Sequence, residues 1–234
     1  MGLFASMRCG FIKLILLFAI SFVSFSGETL HFSKLWTVLS YNGNYDKLLY
    51  LVEPQMRFAN VQGAFDQLLY NTGIGTSLNN QLQVWMGQTI SNFSSNNAAI
   101  EDVVGADSTE YRLWQQLSYF YPSSTSLFFN LRSRIEERYS LEFAPWAIRI
   151  RERPTWQIPL TEHQLLFISD EIFFNLKSVA WVPTQTLDQN RFFIGITQIL
   201  DKKTRFTVTY MNQYITKVIP ENNHGIMINI SIQA

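Results

Sequence analysis

Chemistry in this chain concentrates between Asn130 and Arg153, where guanidinium groups recur at every second residue. Asn130, Arg132, Arg134, Glu136 and Arg138 share one parity against Phe129, Leu131 and Ile135, and Arg149, Arg151 and Arg153 repeat the arrangement around Ile148 and Ile150. Successive side chains on a strand point to opposite faces, so one face is charged and the other apolar. Guanidinium forks bind carboxylates in a fixed geometry that lysine does not match. The acidic partners expected for such a network are Glu53, Glu110, Glu136 and Glu171, and its arginines are Arg57, Arg112, Arg132, Arg134, Arg149, Arg151, Arg191 and Arg205. Arginines outnumber carboxylates in this set. It reads either as a hydrogen-bonded polar core or as a basic conduit for a small anionic solute.

Other chemistry is sparse. The three histidines are His31, His163 in a turn with Thr161 and Glu162, and His224 at the head of the last strand candidate. A lipid hydrolase needs a histidine beside a serine or carboxylate, and strand parity pairs none of the three in that way. Asp170 and Glu171 are adjacent, so they point to opposite faces and do not form a catalytic carboxylate pair. Metal-ligand spacing is absent; Glu101, Asp102 and Asp107 read as a solvated acidic loop. No glycine-rich phosphate loop follows a strand. Asn92-Phe93-Ser94 and Asn229-Ile230-Ser231 match a glycosylation pattern, which means nothing if the host is bacterial. Neither a cofactor nor a metal is expected, and with 18 basic and 18 acidic residues nothing points to nucleic acid.

The elements that must position the arginines are strands. Arg8 and Lys13 precede the apolar run Leu14 to Val23, followed by the small residues Ser24 and Ser26. That order reads as a cleaved secretory signal over residues 1–26, leaving residues 27–234 as one domain. The single cysteine, Cys9, precedes the run, so the mature domain has no disulfide to hold it. Aromatics reach 15% of residues. Such a share suits rings at a bilayer interface, and Trp36, Trp146, Trp156, Tyr41, Tyr119, Tyr121 and Tyr214 are the expected girdle.

Hydrophobicity arrives in strand-sized segments separated by turn chemistry. Eleven candidates emerge, from Leu30–Tyr41 through Leu127–Arg138 and Trp146–Ile158 to Gly225–Gln233. Single-chain bacterial barrels have even counts, so 10 or 12 strands are expected, with Leu30–Tyr41 short of a full stave or one strand overlooked. Short turns alternate with the long connections Asn92–Thr109, Lys177–Asn190 and Lys217–His224. On the last candidate Ile226, Ile228, Ile230 and Ile232 oppose Met227, Asn229, Ser231 and Gln233; Gly73 and Gly75 sit on a polar face where a curved wall leaves little room. Polar faces rich in Arg, Gln, Asn, Trp and Gly with very few lysines favour the interior of an antiparallel transmembrane β-barrel over the solvent face of a soluble periplasmic ligand-binding β-sandwich.

From Trp36 onward the chain resembles a family of small Gram-negative outer-membrane β-barrels of unknown function. The resemblance rests on LVEPQMR (51–57), FDQLL (65–69), LQVWMG (82–87), EYRLWQQL (110–117), LRSRIEER (131–138), IRIRER (148–153), DEIFFN (170–175), QNRFFIG (189–195) and YMNQ (210–213), in that order. It implies an outer-membrane barrel, with membrane lipid and the barrel-assembly machinery as partners, and supplies no activity. One departure is the terminus, where Gln233-Ala234 stand in place of the aromatic that assembly machinery reads, with Ile232 as the penultimate apolar contact. The role expected is a structural or narrow-pore envelope protein, with an outer-membrane lipid hydrolase as the alternative.

Overall fold

Hairpin follows hairpin through the computed structural model, which describes residues 29–60, 63–94, 108–121, 127–143, 145–177, 179, 181–182 and 185–234. The expected signal with Cys9, the acidic residues Glu101, Asp102 and Asp107, and the turn at Pro122 lie outside the described residues. The strands are β1 Ser33–Tyr45, β2 Leu48–Phe58, β3 Phe65–Ser77, β4 Leu82–Phe93, β5 Ser108–Tyr121, β6 Phe128–Ser140, β7 Ala147–Pro159, β8 Gln164–Lys177, β9 Leu187–Ile199, β10 Thr204–Ile215 and β11 Glu221–Gln233. Each pairs with the next, and β11 returns to β1, closing a barrel.

The count is therefore 11, not the expected 10 or 12. A hairpin reverses the chain at each step, so in an odd barrel the first and last strands run the same way. Closure is then parallel, from Ser33 opposite His224 to Asn42 opposite Gln233. The even-count rule presumes an all-antiparallel seam, and this chain does not have one. The first strand is a full stave, displaced to Ser33–Tyr45. The hairpin turns 46–47, 78–81, 160–163 and 200–203 lie at one end, while the strand ends Phe93 and Ser108, Lys177 and Leu187, Ile215 and Glu221, and the start of β1 lie at the other. All the long connections thus share an end, as the alternation of short and long loops implies.

Closure decides which face is inside. Outward residues are apolar and exposed: Ile74 by 50%, Met86 by 58% and Ile226 by 45%. Inward positions hold the buried arginines and acids together with one apolar cluster, Trp36, Val38, Phe193, Met211 and Met227. A sheet that is apolar outside and charged inside is the reverse of a soluble sandwich, and the closed wall replaces that alternative. Among the girdle candidates, Trp146, Tyr41 and Tyr121 are exposed toward the strand ends. Trp36 is not a girdle residue. It is 4% exposed, because with β1 beginning at Ser33 the even positions Lys34, Trp36, Val38 and Ser40 face the lumen.

A narrow wall needs glycine where a large inward side chain crosses it. A Cβ on Gly73 would lie 2.4 Å from the Trp114 indole, and one on Gly87 2.3 Å from the same ring. These two glycines admit Trp114, which is 1% exposed. Register shifts at Arg57/Phe58, Ile148/Arg149 and Phe173/Phe174 all fall near the long-connection end. Each bulge bends its strand and re-aims the residues beyond it.

Candidate functional site: the arginine-lined lumen

Pairing sets arginine directly against arginine across the wall: Arg112 opposite Arg138, Arg132 opposite Arg153, and Arg134 opposite Arg151. Like charges facing each other across a ladder are unfavourable, so each pair needs an acid on a neighbouring row. Three glutamates serve as these hubs. Glu110 accepts from Arg112 Nε at 2.9 Å and Nη2 at 2.8 Å, and also from Arg138 Nε. Glu136 Oε2 accepts from Arg149 Nε at 3.0 Å and Nη2 at 2.6 Å, while its Oε1 accepts from Arg151 Nη1. Glu171 Oε1 accepts from Arg151 Nε at 3.1 Å and Nη2 at 2.6 Å and from Arg132 Nη2. Arg149 extends the chain to Asp188 at 3.1 Å.

Glu136 is 0% and Glu171 1% exposed, so these carboxylates lie in the dry part of the lumen. Desolvating a charge costs several kcal/mol, and only partners on most of its lone pairs offset that. Glu110 and Glu136 have donors on both oxygens, while Glu171 takes three on Oε1 and its Oε2 lies 3.9 Å from Arg191 Nη1. Phe173, with 0% exposure, lies under the same cluster, its ring centroid 4.9 Å from the Arg149 guanidinium carbon and 4.7 Å from that of Arg151.

The other side of the lumen is built differently. Arg57 donates to the neutral amides of Gln67 and Gln55, both at 2.9 Å, and its guanidinium lies 3.9 Å from the Trp36 ring centroid. Arg191 lies 4.9 Å from the same ring, and among the described residues it reaches a carboxylate only at 3.9 Å, on Glu171. Arg153 donates to the Ser169 hydroxyl at 3.0 Å. Arg134 stacks on Trp114 at 4.0 Å and donates twice to the Gln116 carbonyl, at 2.9 and 2.6 Å, with Glu136 no nearer than 3.9 Å.

Between the two sides lies a cavity of about 310 Å³. Nine arginines with Lys34 and Lys217 line it, against the acids Glu53, Asp66, Glu171 and Glu221. Lys34 pairs with Asp66 at 3.6 Å and Lys217 with Glu221 at 2.6 Å, both toward the long-connection end.

Most of the expected network thus meets in one place. Two members do not join it as expected. Glu53 accepts from Ser40 at 2.9 Å and Asn71 at 3.1 Å and, among the described residues, pairs with no arginine. Arg205 is exposed at the short-turn end, with no ion pair among the described residues. The sequence places Arg138 on the charged face but leaves it out of the expected network, and it gives no place to Asp188 or to the amides Gln67 and Gln116. Arg138 carried a signal in its parity with Arg134. Asp188 carried none: it falls within the expected loop Lys177–Asn190, and the bulge at Phe173/Phe174 resets parity beside it.

Asp170 and Glu171 do face opposite ways, Asp170 accepting from Asn190 Nδ2 at 2.7 Å while Glu171 enters the lumen. His224 Nδ1 lies 2.7 Å from the Tyr210 hydroxyl, and its ring stacks on His31 at 6.0 Å. Among the described residues no histidine ring meets a serine or a carboxylate, and no three His, Cys, Asp or Glu side chains gather as metal ligands.

The chain belongs to the family described as "Protein of unknown function (DUF2490)", whose model matches residues 33–224. An uncharacterized protein of Methylorubrum extorquens is 23% identical over 193 residues, covering 80% of this chain and 81% of the relative. Among solved structures, LpxR from Salmonella typhimurium superposes with a TM-score of 0.52 at 9% identity, over 79% of this chain and 83% of that one. Outer-membrane expressed OmpT of Vibrio cholerae aligns at 0.42 and 10% identity, over 73% of this chain and 56% of that one. The likeness to LpxR is one of fold, that of an outer-membrane β-barrel.

Proposed function

We propose, from this family membership and barrel, that the chain is delivered by its N-terminal signal to the outer membrane and acts there as a non-enzymatic envelope protein with a narrow, anion-selective lumen. One observation carries the reading: the cavity of about 310 Å³ is lined by eleven basic and four acidic side chains. Adding the buried Glu110, Glu136 and Asp188 behind that lining still leaves four basic groups in excess. A low-dielectric channel of one sign concentrates ions of the other. The long connections face outward and β11 ends toward the periplasm, the usual arrangement of short periplasmic turns and longer outer loops. Lipid holds the apolar outer wall, and the assembly machinery inserts the strands.

Single-channel conductance of the refolded chain in a planar bilayer tests this. Expected is a small, steady current with a reversal potential shifted toward the anion, and a smaller shift in Arg57→Gln. A silent bilayer from protein that still shows heat-modifiable gel mobility overturns the conduit.

A further inference from the structure

The close ion pairs in the lumen are not spread evenly. Glu110, Glu136 and Glu171 take up Arg112, Arg138, Arg149, Arg151 and Arg132. Arg57, Arg134, Arg153 and Arg191 remain; Arg134 lies apart on Trp114, whereas Arg57 and Arg191 share the Trp36 indole at 3.9 and 4.9 Å, so their guanidinium carbons are no more than about 8.8 Å apart, and Arg191 also lies 4.6 Å from the Phe173 ring. Among the described residues Arg57 has no ion pair, and Arg191 reaches only Glu171, at 3.9 Å. Arg57 bonds Gln55 and Gln67, and the Gln213 amide lies 3.3 Å from Arg191 Nε and Nη2. Neutral amides orient a guanidinium without discharging it. Arg191 is only 7% exposed, and Arg57 keeps a buried Nε without a hydrogen-bond partner. An uncompensated charge in such surroundings is costly unless something supplies the opposite sign. Both arginines, Trp36 and Arg153 border the same cavity.

We propose that Arg57 and Arg191, held on Trp36 and assisted by Arg153, form a binding site for a phosphate group, free or esterified. The inference rests on the anion-selective reading of the lumen and names the anion. A multivalent tetrahedral oxyanion presents several acceptor oxygens at once, which suits forks approaching from different strands better than a halide or a single carboxylate does. The amides and the indole fix both forks before the ligand arrives, so little rotamer freedom is lost on binding. Their supports come from β1, β2, β3 and β10, so the site exists only when the barrel is closed.

Isothermal titration of the refolded full barrel with inorganic phosphate, at constant ionic strength and with chloride as the monovalent comparison, reads the site directly. Phosphate should bind saturably with one ligand per barrel, and chloride should not. Arg57→Gln and Arg191→Gln should each weaken phosphate by roughly tenfold to a hundredfold, the worth of one charged hydrogen-bonded contact. Arg205→Gln, whose residue stands outside the network, should leave affinity unchanged. Should Arg191→Gln fail to acquire heat-modifiable mobility, Arg57→Gln and Trp36→Leu carry the comparison. Competition by glycerol phosphate identifies an esterified ligand, and its failure restricts the site to the free ion. Equal affinity in all variants, or no binding to the wild type, overturns the site. Anion-selective current without phosphate binding leaves the conduit standing and removes this inference, whereas phosphate binding in a silent barrel does the reverse.

Discussion

Two sides of one lumen use the same side chain for opposite ends. Across β5–β8 the arginines meet Glu110, Glu136 and Glu171, and those groups are nearly dry. Around Trp36, arginines lean on Gln55, Gln67, Gln213 and an indole. On the first side five arginines are tied directly to carboxylates, fewer acids than arginines but each acid shared, so those forks brace the wall. On the second the charge is positioned and left uncancelled, which costs stability and creates an attraction for anions. Arginine content alone therefore says little about function; the identity of the partners decides it.

The contrast breaks most visibly at Glu136. Glu136→Ala strips both Arg149 and Arg151 of a carboxylate, and the loss should be about 3–5 kcal/mol, read as a fall in the urea midpoint of heat-modifiable folding. Next comes the Trp114 crossing. Gly73→Leu forces a side chain to within 2.4 Å of the indole, and overpacking of this kind costs about 1–3 kcal/mol. Trp114→Ala in the same chain should recover part of that, which a double-mutant cycle measures. Arg57→Gln should change the urea midpoint by no more than about 1 kcal/mol, since it orphans no carboxylate. If it costs as much as Glu136→Ala, the two sides do not differ.

The smallest expected effect lies outside the wall, in the β9–β10 turn. There the Asp201 carboxylate accepts the backbone N–H groups of Lys203 at 2.7 Å and Thr204 at 2.9 Å. These bonds, first that from Lys203, hold its pKa below the ordinary aspartate value. A depressed folded-state pKa stabilises above the unfolded value and is lost as pH falls through the folded one. The difference between wild type and Asp201→Ala in refolding midpoint should thus be present at neutral pH and vanish in acid.

Parity was legible because it is local. Arg132, Arg134, Arg149 and Arg151 alternate with apolar neighbours, and no tertiary information is needed to put them on one face. Gly73 was legible as crowding, though not as room for Trp114; Gly75 meets Trp85 instead, and Gly87, the second glycine behind Trp114, carried no such signal. Trp36 was misread because apolar residues stand on both parities of Leu35–Leu39, so alternation does not say which face turns inward; Trp36 and Tyr41 have opposite parity and only one of them faces out. Arg205 has the right parity but stands at the rim, and distance along the barrel axis is invisible to alternation.

What the sequence by itself determined is the alternation, the turns, and hence a sheet with one charged and one apolar face, all set by side chains within a few residues of each other. Only the tertiary structure decided that 11 strands close through a parallel seam, that Glu136 and Glu171 rather than Glu53 receive the arginines, and that Arg57 and Arg191 share Trp36. Those pairings join residues far apart in the chain. Their geometry depends on strand register, bulges and closure, which exist only once every strand has found its neighbour.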